Sequence, residues 1–200
     1  MLPDIVLPAA SDAARRPPAP GRLELVRTFL NTVDLESGED DFGSPCELTA
    51  WLVDRGLALP GTSLGAGDLR KAIAFRESVR EVLESNAGHA EPAPALARLD
   101  GFAAEIPMRV QLSDRPRLEP EREGGIDAAI GRLLAIAYEA ALDGTWRRLK
   151  VCRSDTCRWA FYDWSRNRSG TWCTMAVCGN RMKGRTFRRV RALEGLHPPD

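Results

Sequence analysis

The chain is predicted to be mainly α with a small β hairpin: a helical N-terminal body, then a compact cysteine-rich module ending in a basic helix. Three observations predict this. Apolar residues recur at helical spacing through most of the first 143 residues. Short alternating runs are confined to Met108–Leu112 and to the stretch that follows residue 147. Four of the five cysteines lie in the last quarter of the chain, as Cys152-x4-Cys157 and Cys173-x4-Cys178.

The cysteines decide what the C-terminal module is. Two short pairs with fifteen residues between them have the spacing of a tetrahedral Zn²⁺ site, with both pairs at the wide end of the usual range. Disulfides are the rival reading. Residues 1–19 lack a secretory pattern, since Asp4 stands where positive charge belongs and no long apolar run follows. A cytoplasmic, reducing compartment is therefore expected, and there paired cysteines are metal ligands rather than bridges. Four thiolates fill the shell of one Zn²⁺ and leave no position for water, so the expected ion is structural. The module then reads as a four-cysteine, treble-clef-like zinc finger.

The helices of the body follow in order. Residues 1–20, rich in Pro and Ala, form a poorly ordered tail, and the body spans 21–143. Leu23, Val26, Phe29, Leu30 and Val33 give a helix from Arg22 to Asp34. Asn31, Thr32 and Asp34 sit at its end; they read either as capping and turn residues, which we prefer, or as a pocket or interdomain contact. Glu36–Gly43 is an acidic loop. Ser44-Pro45-Cys46-Glu47 then forms a capping box for a helix that stops near Gly56. Cys46, the odd cysteine, is expected to be an ordinary semi-buried thiol. Asp68–Asn86 is the long helix, with charges expected opposite its apolar side. His89 is read as solvent-facing in the following loop. A shorter helix begins at Pro94, and a small hairpin uses Met108–Leu112 and Arg117-Leu118. Ile126–Leu142 is the most apolar helix and leads through Asp143-Gly144 into the finger, assigned to 144–194 with 195–200 as a tail.

Charge separates the two parts. Residues 144–200 hold 13 Lys/Arg against 4 Asp/Glu, whereas residues 1–143 hold 15 against 24. From Arg181 to Leu193 a helix is expected whose polar side carries Lys183, Arg185, Arg188, Arg189 and Arg191. Either this is a solvated surface helix or it docks on a phosphate backbone; we prefer the second. Arg166 and Arg168, in the turn between the cysteine pairs, are further candidates, as is Arg181. Trp146, Trp159, Phe161, Trp164 and Trp172 are expected to shield the metal and join the domains, rather than stack on bases. Gly179 is expected to serve a turn of positive φ. No run of about 18 apolar residues is present, so no membrane span is expected.

The run Cys152-x4-Cys157-Arg158-Trp159-x-Phe161-x-Asp163-x-Ser165-Arg166-Asn167, followed by Trp172-Cys173-x-Met175-x-x-Cys178-Gly179-Asn180-Arg181-x-Lys183, resembles the CGNR zinc-finger family. Phe29-Leu30-Asn31-Thr32-Val33-Asp34 resembles the opening of ABATE domains, which precede that finger in bacterial proteins described as stress-induced transcription regulators. The resemblance implies a zinc-binding transcriptional regulator. DNA would be met by the finger and basic helix, and a small-molecule or protein effector by the helical body. The alternative is a zinc-stabilised protein- or RNA-interaction module with a ligand-sensing body. An enzyme is not expected, since neither of the two histidines stands near a plausible nucleophile and the metal shell is closed.

Overall fold

The computed structural model describes residues 17–88, 93–112, 116–185 and 191. About half of the described residues are helical, and among them three separate two-stranded antiparallel sheets complete the fold. The helices are α1 (Leu23–Leu30), α2 (Pro45–Asp54), α3 (Ala66–Asn86), α4 (Ala93–Glu105) and α5 (Gly125–Leu142). The strand pairs are β1 (Val33–Asp34) with β2 (Glu39–Asp40), β3 (Met108–Gln111) with β4 (Arg117–Pro120), and β5 (Leu149–Val151) with β6 (Ala160–Tyr162). No helix among the described residues is long and apolar enough to cross a membrane.

Local chemistry sets these elements. The expected box opens α2: Ser44 Oγ accepts the Glu47 N–H at 3.3 Å and donates to the Glu47 carboxylate at 2.8 Å. Cys46 beside it is exposed rather than semi-buried. The first helix is shorter than its apolar spacing suggests. It ends at Leu30, and Val33-Asp34 turns back to pair with Glu39-Asp40. Asp34 Oδ1 caps the turn by accepting from Glu36 N, and Gly38 takes a φ of +79° that suits glycine. A two-residue strand is too short to show alternation, which is why it reads as loop.

The main core gathers α1, α2, α3 and α5 around Phe29, Leu30, Leu52, Phe75, Ile130 and Leu133. Close packing explains Gly131 on α5: a β-carbon there would stand 3.0 Å from Ile106 and 3.2 Å from Met108 and Pro120, where the β3–β4 hairpin lies on the helix. Tyr138 and Leu142, counted with the apolar helix, are exposed.

The C-terminal module does not hang from this body as a separate bead. Side chains alternate across a strand, and β5–β6 uses both of its faces. Leu149, Val151, Ala160 and Tyr162 enter the core of the body. Phe161 points the other way, into a second cluster formed with the four cysteines and flanked by Trp159 and Trp172. Polar ties reinforce the seam. The Asn31 amide clamps the Ala160 peptide, donating to its carbonyl at 2.9 Å and accepting its N–H at 2.8 Å. Asn86 Nδ2 donates to the carbonyls of Trp146 and Leu149, both at 3.0 Å.

Candidate metal centre

Cys152 follows β5, and Cys157 closes a turn in which the N–H groups of Cys157 and Arg158 both bond the Ser154 carbonyl, at 2.9 and 3.0 Å. Arg158 then takes a left-handed φ of +45° and turns the chain into β6. Cys173 precedes Thr174, whose hydroxyl accepts the Val177 N–H at 3.1 Å and caps a π-helical turn, Met175–Gly179. That turn is closed by Gly179 N–H on the Thr174 carbonyl at 3.0 Å. It accounts for the wide spacing of the second pair, because an i→i+5 turn carries the second ligand one residue further round than an α-turn would. Gly179 does not take the expected positive φ; what it provides is room for the end of the half-exposed Met175 side chain. A β-carbon there would meet Met175 Sδ at 2.7 Å and Trp172 at 3.3 Å.

The four sulfurs converge within 4.8 Å of one another, all buried and none disulfide-bonded. Cys157–Cys173 and Cys173–Cys178 are each 3.7 Å apart. Zn–S bonds of about 2.3 Å in a tetrahedron place sulfurs about 3.8 Å apart, so the cage has the size of one zinc ion. Its electrostatics call for a cation. Hydrogen bonds from Cys157 and Cys173 hold the Cys152 thiol down at about 2. Bonding to that one thiolate pushes Cys157 up to about 12 and Cys173 up as well, and burial raises Cys178. Four thiolates can share this space only around a divalent ion. These cysteines form the site of a single structural Zn²⁺.

The other sequence candidates do not form one cluster. Arg166 and Arg168 are exposed on the loop between the pairs. Helical backbone continues over residues 180–185, where Arg181, Lys183 and Arg185 are exposed, and Arg191 is exposed beyond it. Arg181 is held by Glu36 of the body at 2.8 Å. Arg188, Arg189 and His89 lie outside the described residues. Asn31, Thr32 and Asp34, grouped in the sequence, do three different things. Asn31 clamps the finger, Thr32 bonds the Phe29 carbonyl and receives Arg76, and Asp34 shapes a turn. Trp164 stands apart from the metal, 53% exposed.

Sequence reasoning missed the buried charges of α3, one of which ties the centre to the body. Arg76 and Arg80 of α3 are 3% and 0% exposed. Arg76 makes a bidentate pair with Asp40, at 2.8 and 2.7 Å. Arg80 donates to the Leu30 carbonyl at 2.5 Å and to the Arg158 carbonyl at 2.9 Å, while Glu77 bridges both arginines. Arg158 also pairs with Glu84. A cleft of about 830 Å³ opens beside this tie, lined by Glu81, Glu84, Pro94, Arg153, Arg158 and Met182 among others.

A second buried pair organises the loop after β6. Lys150 Nζ reaches Asp163 Oδ2 at 2.9 Å and the Arg168 carbonyl at 2.5 Å. Asp163 also accepts the N–H groups of Ser165 and Gly170, at 3.0 and 2.7 Å. Burial works against the Asp163 charge, but the bonds from Ser165 and Lys150 outweigh it and hold the carboxyl at about 2. Gly170 is required here, since a β-carbon would stand 2.7 Å from that carboxylate. The signals were present: Lys150 sits alone between Leu149 and Val151, and Arg76 falls in line with Ala72, Val79 and Leu83.

Residues 148–191 match the model of the CGNR zinc finger. Residues 23–144 match the ABATE model, described as "Putative stress-induced transcription regulator". No curated protein matches the chain. With most of its length covered by that second match, and the four-sulfur cage following it, the chain belongs to the ABATE family and carries a CGNR zinc finger at its C-terminal side.

Proposed function

We propose that the protein is a zinc-dependent transcriptional regulator that contacts DNA with its finger. One observation carries the reading. From Trp164 to Arg185 the chain contains five basic residues and no carboxylate, and Arg166, Arg168, Arg181, Lys183 and Arg185 are all exposed. Neutralising phosphates with such groups releases counterions and gives sequence-independent affinity. The zinc has no catalytic part, since four sulfurs close its shell. The cleft between α3, α4 and the finger is the place for an effector, because a molecule seated there would touch both the body and Met182 of the C-terminal helix.

The test is fluorescence anisotropy of the zinc-loaded protein with duplex DNA at several salt concentrations. The expected result is affinity that falls linearly on a log–log plot against salt. The double variant Lys183→Glu/Arg185→Glu should bind at least about tenfold more weakly. Unchanged affinity in that variant would remove the helix from the interface. Absence of salt-sensitive binding in the wild-type protein would overturn the reading.

A further inference from the structure

We propose that the loop from Trp164 to Arg168 is a built contact for a single nucleic-acid strand, in which Trp164 stacks on an unpaired base while Arg166 and Arg168 meet the flanking phosphates. The inference rests on the nucleic-acid reading above and says which surface does the work and on what form of the partner.

The loop is saturated from behind. Arg148 Nη1 donates to the carbonyls of Asp163 and Ser165, both at 2.9 Å. Lys150 Nζ takes the carbonyls of Arg168 and Gly170, at 2.5 and 3.3 Å. The Asp163 carboxylate holds the N–H groups of Ser165 and Gly170, Arg168 N–H bonds the Ser165 carbonyl at 3.2 Å, and Ser169 N–H bonds Ser165 Oγ at 3.2 Å. Two half-buried or buried cations and one buried carboxylate thus fix a short stretch of backbone. Its outward side chains are Trp164, Arg166, Asn167 and Arg168, all exposed. A loop ordered to this degree loses little conformational freedom when it binds.

Trp164 is the exception among the five tryptophans. Trp51 is buried, Trp159 and Trp172 flank the sulfur cluster, and Trp146 packs on the main core. Trp164 leaves the sheet, meets Tyr162 edge-on with centroids 4.8 Å apart, and donates Nε1 to the Pro18 carbonyl at 3.1 Å. Its one polar group is therefore satisfied and its ring orientation set, yet more than half of it stays open to solvent. No ion pair among the described residues involves Arg166 or Arg168. An open aromatic with unpaired arginines two and four residues away is the arrangement that tracks a strand, since every base offers a π-face and every phosphate a charge. A basic protein surface fits less well, because a stretch free of carboxylates offers it nothing.

The experiment titrates the zinc-loaded full chain into labelled oligothymidine and into a duplex of equal length. Trp164→Ala should weaken single-strand binding about tenfold, with a smaller loss on duplex, while zinc content and melting temperature stay at wild-type values. Trp164→Phe should recover most of that loss, and Arg166→Glu/Arg168→Glu should reduce binding to both forms. Wild-type affinity in Trp164→Ala would overturn the stacking role while leaving the DNA reading intact. A loss accompanied by loss of zinc or of thermal stability, and not rescued by phenylalanine, would assign the tryptophan to the fold instead. Failure of the wild-type chain to bind either form would overturn the nucleic-acid reading itself.

Discussion

The cations of this molecule fall into two populations that composition does not separate. Arg80 at the seam between α3 and the finger, Arg76 just behind it in the body and Lys150 inside the finger are buried, and each is used up on carboxylates, carbonyls or a hydroxyl. On the surface of the finger, Arg166, Arg168, Lys183 and Arg185 stand in solvent, in a stretch with no acidic residue. The same residue types are mortar in one place and an unspent surface in the other. The difference is geometric: a buried guanidinium is tolerated only with its hydrogen bonds made and its charge compensated, so a seam cation is unavailable to any ligand. Changes at the seam should therefore move stability, and changes on the open side should move affinity.

Zinc removal tests this division most severely, because the metal supports both populations. The outer face of β5–β6 belongs to the core of the body, so loss of the sulfur cage should not melt the finger alone. A chelator, or Cys173→Ser, should lower the melting temperature of the whole chain by more than about 10 °C, given about 2–4 °C per kcal/mol for a chain of this size, and should abolish nucleic-acid binding. Calorimetry checks it: one transition at lower temperature is expected, and an unchanged body transition would break the link drawn across the hairpin. The sign with pH follows from the thiols. Cys157, Cys173 and Cys178 are pushed up in the metal-free cage, so protons compete with zinc. Apparent affinity should fall more than about tenfold for each unit of falling pH.

Arg80→Ala comes next. It strips donors from the Leu30 and Arg158 carbonyls, while Glu77 keeps its pair with Arg76, at a cost in urea unfolding of about 1–3 kcal/mol for each orphaned carbonyl, about 4 kcal/mol together. Its slope of affinity against salt should match the wild type once the protein is folded. A changed slope would mean that the seam reaches the ligand after all.

Asp163→Asn should cost somewhat less, about 3 kcal/mol, by leaving the Lys150 ammonium buried without its counter-charge. Asp163 is held at about 2, below its ordinary value near 3.9. Its contribution is therefore complete above the ordinary value and is lost only as pH falls from there towards about 2. The stability gap between wild type and variant should then be constant from about pH 5 to pH 8. A gap that closes within that range would show that the carboxylate titrates higher than its hydrogen bonds imply.

How much of this was legible in the sequence depends on how far each feature reaches. The ligands were legible because thiols have few other uses in close pairs, and α2, α3 and α5 because a long amphipathic period survives local noise. The β1–β2 turn was not, since two residues cannot display a period. The buried arginines were misjudged for a different reason: a charge on a helix is exposed by default, and only partners 36 or more residues away, Asp40, Thr32 and the carbonyls of Leu30 and Arg158, reverse that default. Trp164 failed in the opposite sense. Its neighbours Trp159 and Trp172 are partly buried against the sulfur cluster, but a strand alternates, and the Trp164 ring lies past the end of β6 where no face is left to cover it.

The smallest effect belongs to the one place where the two populations meet. Arg181 is on the open side, yet Glu36 of the β1–β2 turn holds it at 2.8 Å, with both side chains about two-fifths exposed. Screening by water leaves such an exposed pair worth little to the fold, so Glu36→Gln should leave the unfolding midpoint nearly unchanged. The same substitution frees a cation and removes a like charge from the path of a phosphate. DNA affinity should therefore rise, by about twofold to fivefold at low salt, and the gain should vanish as salt screens it. A fall in affinity would instead make Glu36 an orienting partner that aims Arg181 at the ligand, and would move Arg181 from the open population to the seam. Stability and affinity measured on this one variant thus decide to which side of the division the signature arginine belongs.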